Sequence, residues 1–225
     1  MKPFRLLEDN VLIRLEPLEA QSGAIHVVRS GEWDNQRLAR VLMCGPGHYT
    51  EPYFGGPRGA LVEVEPKPGD LVLVSKHSGH TYRRGLDIHT PRQNADTSFG
   101  ELFDERGEYR IIRAEEAYAR RTTDGLEALG RHVVIKRDDF EEKTPGGIVI
   151  PRTVDDKNLN GTVVSIGRGR ALRDGSFRRH EIEVGDRILF GQHAGNPITV
   201  PGLEGLMVLR DEDVIATYGE AEAAE

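Results

Sequence analysis

An internal repeat is the strongest constraint that this chain places on its own fold. Repeated blocks keep a near-constant spacing wherever neither copy carries an insertion. Val11 and Val133 lie 122 positions apart, as do Val41 and Val163, Gly45 and Gly167, and Gly47 and Gly169. The spacing matches Arg40-Val41-Leu42-Met43-Cys44-Gly45-Pro46-Gly47 to Thr162-Val163-Val164-Ser165-Ile166-Gly167-Arg168-Gly169. It falls to 116 where Gly69-Asp70-Leu71-Val72-Leu73 meets Gly185-Asp186-Arg187-Ile188-Leu189, and to 97 where Ile111-Ile112-Arg113-Ala114-Glu115 meets Val208-Leu209-Arg210-Asp211-Glu212. Block order never changes, so the first copy differs by longer loops. The expected units are residues 1–121 and 122–218, followed by a disordered acidic tail at 219–225.

Inside each copy the aliphatic runs are short, rich in Val and Ile, and separated by Gly, Pro, Asn and Asp clusters. That is the pattern of an all-β chain, and several short strands per copy predict two small β-barrels in tandem. In the second copy the strands are expected at residues 133–137, 161–166, 187–190, 198–200 and 206–209. Asp174-Gly175 suits a tight hairpin turn. Asp211-Glu212-Asp213-Val214-Ile215-Ala216 predicts a brief turn before a closing strand.

One run in each copy fits neither a regular strand nor a helix. Thr144-Pro145-Gly146-Gly147-Ile148-Val149-Ile150-Pro151 sets three large aliphatic side chains between Pro and Gly. A weaker version upstream, Gln21-Ser22-Gly23-Ala24-Ile25-His26-Val27-Val28, has His26 at the centre. Periodicity alone does not separate a core strand after a Gly turn from an apolar docking segment. For His26 the residues leave two readings open: a weakened binder, because imidazole carries charge near neutral pH, or a side chain turned to solvent while Ile25 and Val27 anchor.

Composition excludes several classes. At 225 residues, 37% hydrophobic, 30% charged and a net charge of −7, the chain reads as globular rather than disordered. No run approaches the roughly 20 apolar residues of a membrane span. Met1-Lys2-Pro3-Phe4-Arg5 does not lead into a signal-peptide core, so a cytoplasmic location is expected. The single Cys44 aligns with Ile166, which favours a buried apolar role over thiol chemistry and excludes an intrachain disulfide.

The blocks, taken in order, resemble the GroES-type (chaperonin-10) co-chaperonin family over nearly all of residues 129–218. They comprise Val133-Val134-Ile135-Lys136-Arg137, Gly146-Gly147-Ile148-Val149-Ile150, Gly161 through Gly169, the turn at Asp174-Gly175, Val184-Gly185-Asp186-Arg187-Ile188-Leu189-Phe190, and Leu209-Arg210-Asp211-Glu212-Asp213-Val214-Ile215-Ala216. Residues 4–119 look like a divergent member with extra loop length. The whole chain resembles a two-module form of the family.

The resemblance implies two GroES-like barrels, each with a mobile loop and a roof hairpin. It implies a homo-oligomeric, non-enzymatic lid that caps a GroEL-type chaperonin, encloses an unfolded client, and leaves ATP to its partner. By position the chaperonin-binding residues are Gly146, Gly147, Ile148, Val149 and Ile150, and in the first copy Ile25, His26 and Val27. Asp174 and Gly175 fall at the roof. Two modules per chain do not divide the family's sevenfold ring evenly, so the resemblance leaves stoichiometry open. Physically, three groove-bound aliphatic side chains supply about 1.5–3 kcal/mol each. Ordering the loop costs about 1–2 kcal/mol per fixed residue, so single loops bind weakly and a ring of them restores affinity through effective concentration.

Other classes find less in the residues. His77, His80 and His89 in the first-copy insertion, near Asp87 and Asp96, are candidate metal ligands for an alternative metal- or ligand-binding module. No regular element fixes them and no Cys joins them. Arg168, Arg170, Arg173, Arg178 and Arg179 around the hairpin raise nucleic-acid binding, but no aromatic series beyond Phe177 accompanies them and the overall charge is acidic. Gly167-Arg168-Gly169-Arg170-Ala171-Leu172 has Leu172 where a dinucleotide fingerprint needs Gly, and no phosphate loop is present. Neither a cofactor nor catalysis is expected.

Overall fold

The first strand, β1 (Asn10–Leu15), alternates as a strand in a core must: Val11, Ile13 and Leu15 join one apolar cluster, and Leu12 joins another with Leu6 and Tyr109. The computed structural model describes residues 5–16, 36–50, 59–82, 108–138, 159–200 and 202–218. After β1 come β2 (Gln36–Cys44), β3 (His48–Tyr49), β4 (Leu61–Val62), β5 (Leu71–Ser75), β6 (His80–Tyr82), β7 (Tyr109–Arg113), β8 (Ala117–Thr122) and β9 (Gly125–Ala128). There follow β10 (His132–Arg137), β11 (Asn160–Ile166), β12 (Arg187–Phe190), β13 (Asn196–Pro197), β14 (Leu206–Arg210) and β15 (Val214–Tyr218). Single-turn 3-10 segments at Ala114–Glu116 and Asp211–Asp213 precede β8 and β15. The described residues are all-β apart from such turns.

The strands form two large antiparallel sheets and one small one. The first large sheet runs β6-β7-β1-β2-β5-β8-β9, the second β13-β14-β10-β11-β12-β15, and β3 pairs with β4. Six strands of the first sheet therefore follow the same path as the six of the second. Local detail repeats at the sequence spacings. Bulges fall at Leu12/Ile13 and Val134/Ile135, and again at Leu73/Val74 and Leu189/Phe190. Before Asp70 and Asp186 the same turn recurs, its carboxylate accepting from the Lys67 and Glu183 amides at 2.8 Å in each case. Glu8 adopts φ 54, the counterpart of φ 57 at Gly130.

Two expectations need correction. Neither sheet closes into a barrel among the described residues: hydrogen bonding stops at β6 and β9 in one sheet and at β13 and β15 in the other. β13 has only two residues, and one is Pro197, which has no N–H to donate across a closing seam. The strand expected at residues 198–200 is displaced to Asn196–Pro197. Ile198 still donates to the Leu206 carbonyl at 2.9 Å and is buried with Val200, so the apolar run marks a core edge and not a ladder.

Each sheet has its own core. Val133, Ile135, Val163, Ile188, Phe190, Met207 and Leu209 converge from four strands of the second sheet. Between the sheets lies a further core, in which Leu73, Ala119, Leu126 and Ala128 pack on Val134, Ile198, Val200, Leu203 and Val208. Val134 belongs here and its neighbours Val133 and Ile135 do not, because successive strand residues face opposite sides. The two sheets thus share an apolar junction within one chain.

Candidate functional site

The residues expected to dock on a chaperonin, Gly146, Gly147, Ile148, Val149, Ile150, Ile25, His26 and Val27, lie outside the described residues, as does the tail at 219–225. Their points of attachment are described. The chain leaves β10 after Arg137, which pairs with Gly161, and the Asp138 amide donates to the Asn160 carbonyl at 3.1 Å. In the first half it leaves β1 after Leu15, which pairs with Ala39, and the Glu16 amide donates to the Leu38 carbonyl at 2.9 Å. Both segments therefore start and end at the same end of equivalent antiparallel pairs.

Charged clamps hold both bases. Arg187 meets the Asp138 carboxylate at 2.8 Å, and the Tyr218 hydroxyl donates to Asn160 Oδ1 at 3.2 Å. In the first half Arg40 meets Glu16 at 3.1 Å, while Arg37 donates to the Glu16 carbonyl at 2.8 Å and pairs with Glu108 at 3.4 Å. These partly exposed pairs contribute little stability individually. Their effect is to fix where each segment departs.

Asp174 and Gly175 lie where a hairpin tip was expected. Ala171 bridges Phe177, the Leu172 amide donates to the Ser176 carbonyl at 2.7 Å, and Gly175 takes φ 85. Hydrogen bonds from the Ser176 hydroxyl and amide, at 2.6 and 3.0 Å, hold the Asp174 carboxyl below its usual range. The hairpin also touches the first half, since the Thr50 hydroxyl donates to the Arg173 carbonyl at 2.8 Å.

A polar seam borders the apolar junction, and its residues were not legible as functional beforehand. The Glu65 carboxylate accepts from the Gly130 amide at 2.8 Å and pairs with Arg168 at 3.0 Å. Arg168 also donates to the Glu63 carbonyl at 2.8 Å and lies 4.5 Å above the Phe177 ring. The arginines raised as a nucleic-acid stripe are thus divided: Arg168 serves the seam and Arg178 pairs with Glu181. The available signal was the repeat itself, which sets Gly130 and Arg168 opposite Glu8 and Pro46 and so marks where the halves differ.

The histidine candidates do not form a site on the described residues. His77 is exposed, β6 pairs the His80 backbone with Ile111, and His89 lies outside the described residues. Among the described residues no group of three or more His, Cys, Asp or Glu is placed to hold a metal ion. Cys44 is half-buried, its thiol donates to the Pro66 carbonyl at 3.2 Å, and burial pushes its pKa up to about 11. A thiol so protonated is a packing group, as its alignment with Ile166 indicated. No helix of the described residues is long and apolar enough to cross a membrane.

Comparison with known proteins places these elements. Residues 125–218 match the Chaperonin 10 Kd subunit family. The co-chaperonin GroES of Tremblaya princeps is 46% identical over 91 residues, spanning 40% of this chain and 94% of that protein. Those of Geobacillus stearothermophilus and Acidithiobacillus ferrooxidans (strain ATCC 53993 / BNL-5-31) are 45% identical over 94 residues and 43% over 91, covering 99% and 94% of their lengths.

Proposed function

The chain belongs to the GroES-type co-chaperonin family, and on that premise we propose that it is a two-module lid for a GroEL-type chaperonin. Residues 1–121 and 122–218 are its modules. It docks through Ile148, Val149 and Ile150, with Ile25, His26 and Val27 as a second and weaker contact, and it assists ATP-dependent folding of an enclosed client in the cytoplasm. Asp174 and Gly175 form part of the roof. The lid is a homo-oligomeric ring, performs no catalysis, and leaves ATP hydrolysis to the chaperonin.

The observation that carries this reading is the shared geometry of departure. Two segments rich in Gly and aliphatic residues leave from the same end of equivalent strand pairs, one in each half, each base clamped by an Arg–carboxylate pair. A lid needs such segments to project together toward one partner surface. Each brings only a few kcal/mol after its ordering cost, so several must act at once.

The test is an ATP-dependent complex between the full chain and a GroEL-type chaperonin, read as co-elution and as a change in the chaperonin's ATPase rate. Wild type binds, Ile148→Asp/Ile150→Asp does not, and Ile25→Asp/Val27→Asp binds less tightly. Retention of binding by the Ile148→Asp/Ile150→Asp variant overturns the assignment of the docking segment. Absence of binding by wild type, tested with a chaperonin from its own source, overturns the function.

A further inference from the structure

We propose that Glu108, held between Arg37 and Arg110, joins the exit of the first-half insertion to the departure point of the first docking segment, so that a displacement at either base is transmitted to the other. The inference rests on the docking role given above to Ile25, His26 and Val27, but its test involves no chaperonin.

Both bases lie at one corner of the first sheet. The Leu15 amide, just before the docking segment leaves, donates to the Glu108 carbonyl at 2.9 Å, and Tyr82 pairs with Tyr109 across the base of the insertion. Side chains tie the same two bases together. Glu108 accepts from Arg110 at 2.7 Å and from Arg37 at 3.4 Å. Arg37 also donates to the Glu16 carbonyl at 2.8 Å, and Arg110 donates to the carbonyls of Lys76 and Ser78 in the turn that leads into β6. The route from Ser78 to Glu16 is therefore continuous: carbonyl, guanidinium, carboxylate, guanidinium, carbonyl.

The second half has the same corner without the cluster. Across the repeat spacings of 122, 116 and 97, Arg37, Ser78, Glu108 and Arg110 stand where the second half has Leu159, Ala194, Gly205 and Met207. The backbone contacts are shared: Arg137 donates to the Gly205 carbonyl at 3.2 Å as Leu15 does to Glu108, and Ala194 donates to Gly191 at 3.0 Å as Ser78 does to Ser75 at 3.1 Å. Yet Leu159, Ala194 and Met207 pack into the core of the second sheet, whereas Arg110 is charged and only 8% exposed. Apolar residues of similar volume commonly match or exceed a buried ion cluster in stability, because the charges must be desolvated. This cluster is also incompletely satisfied, since the Nε atoms of Arg37 and Arg110 are buried with no hydrogen-bond partner among the described residues. Charge at this corner costs stability that the fold does not require, and what it adds is a connection between two bases. The second docking segment lacks that connection, so only the first answers to what contacts the insertion.

Amide hydrogen exchange on the full chain tests the proposal. Arg110→Met removes the contacts to Lys76, Ser78 and Glu108, and should accelerate exchange at Leu15 and Glu16 at least about threefold. Arg37→Leu should do the same at Ser78 and Gly79. In both variants the Val41 amide, which donates to the Asp70 carbonyl further along β2, keeps its wild-type rate. The four-residue variant Arg37→Leu/Ser78→Ala/Glu108→Gly/Arg110→Met carries the second half's residues, leaves no charge stranded, and should melt no lower than either single variant. Effects confined to the base that each residue touches overturn the proposal, as does equal acceleration at Val41. A four-residue variant that melts below the single ones makes the cluster a structural support and overturns it as well. Loss of chaperonin binding with the cross effects intact counts against the docking function alone.

Discussion

The imidazole of His132 lies with its centroid 5.0 Å from the Tyr118 ring, at an interplanar angle of 56°, across the line where the first sheet meets the second. His132 is buried, and its Nδ1 lies 2.9 Å from the Leu129 carbonyl. Burial pushes its pKa below the ordinary 6.5, with nearby Arg210 and Arg131 acting in the same direction against the Leu129 hydrogen bond and Asp211. The unfolded chain therefore takes up the proton at a higher pH than the folded chain. Above the unfolded value both states are neutral and no penalty exists. As pH falls through the unfolded value toward the depressed folded one, stability is lost. The melting temperature should decline from about pH 7 to about pH 5, and His132→Gln should flatten part of that decline. Equal slopes for both proteins would remove His132 from this role.

Leu129 and Leu7 occupy matching positions with opposite exposures, so alanine at each separates a buried side chain from an exposed one. Leu129→Ala deletes a side chain buried in the first core and should cost about 2–5 kcal/mol. Leu7→Ala should change the stability of the chain by no more than about 0.5 kcal/mol, since its side chain is mostly in water. Urea unfolding reads both. A Leu129→Ala cost below that of Leu7→Ala would contradict the burial of Leu129 in the first core.

Glu65 ties the halves through a backbone amide and a guanidinium, and both lose their anionic acceptor in Glu65→Gln. A partly buried polar group left short of a partner costs about 1–3 kcal/mol. The companion substitution Arg168→Met keeps the apolar stem over Phe177 while removing the charge. A double-mutant cycle between the two should show coupling well above about 0.5 kcal/mol. Additive losses would mean that the seam is held by packing alone.

Much of the fold was legible because its signals are local. Short Val- and Ile-rich runs fix β10, β11, β12 and β14 to within a residue or two, and Asp174-Gly175 marks its turn through the backbone freedom of Gly175. The partner of β9 was not legible. Residues 125–128 fall inside the family match with the second half, yet they hydrogen-bond to the first sheet. Which edge a strand joins is decided by the edges left available in three dimensions and by packing such as Leu126 and Ala128 on Val134. Arg168 read as one of several hairpin arginines for the same reason, because nothing nearby in sequence announces Glu65. The docking residues, by contrast, were read from chemistry without a regular element, and only their clamped bases are described.

His26 gives the sharpest test of that chemistry. It stands where the second segment has Val149, between two aliphatic residues in each case. If the central position enters an apolar groove, placing a neutral imidazole there forfeits part of the roughly 1.5–3 kcal/mol that a buried aliphatic side chain contributes. Protonation makes the loss larger, because a charge must be desolvated without a partner. His26→Val should therefore tighten ATP-dependent chaperonin binding by about tenfold per contributing segment, and wild-type binding should weaken on acidification more than binding of the variant. The background for this measurement is the otherwise wild-type chain, in which Ile148, Val149 and Ile150 keep binding in a measurable range and the first segment adds to it. An unchanged affinity in His26→Val, with no difference in pH profile, would place His26 toward solvent and leave Ile25 and Val27 as the anchors.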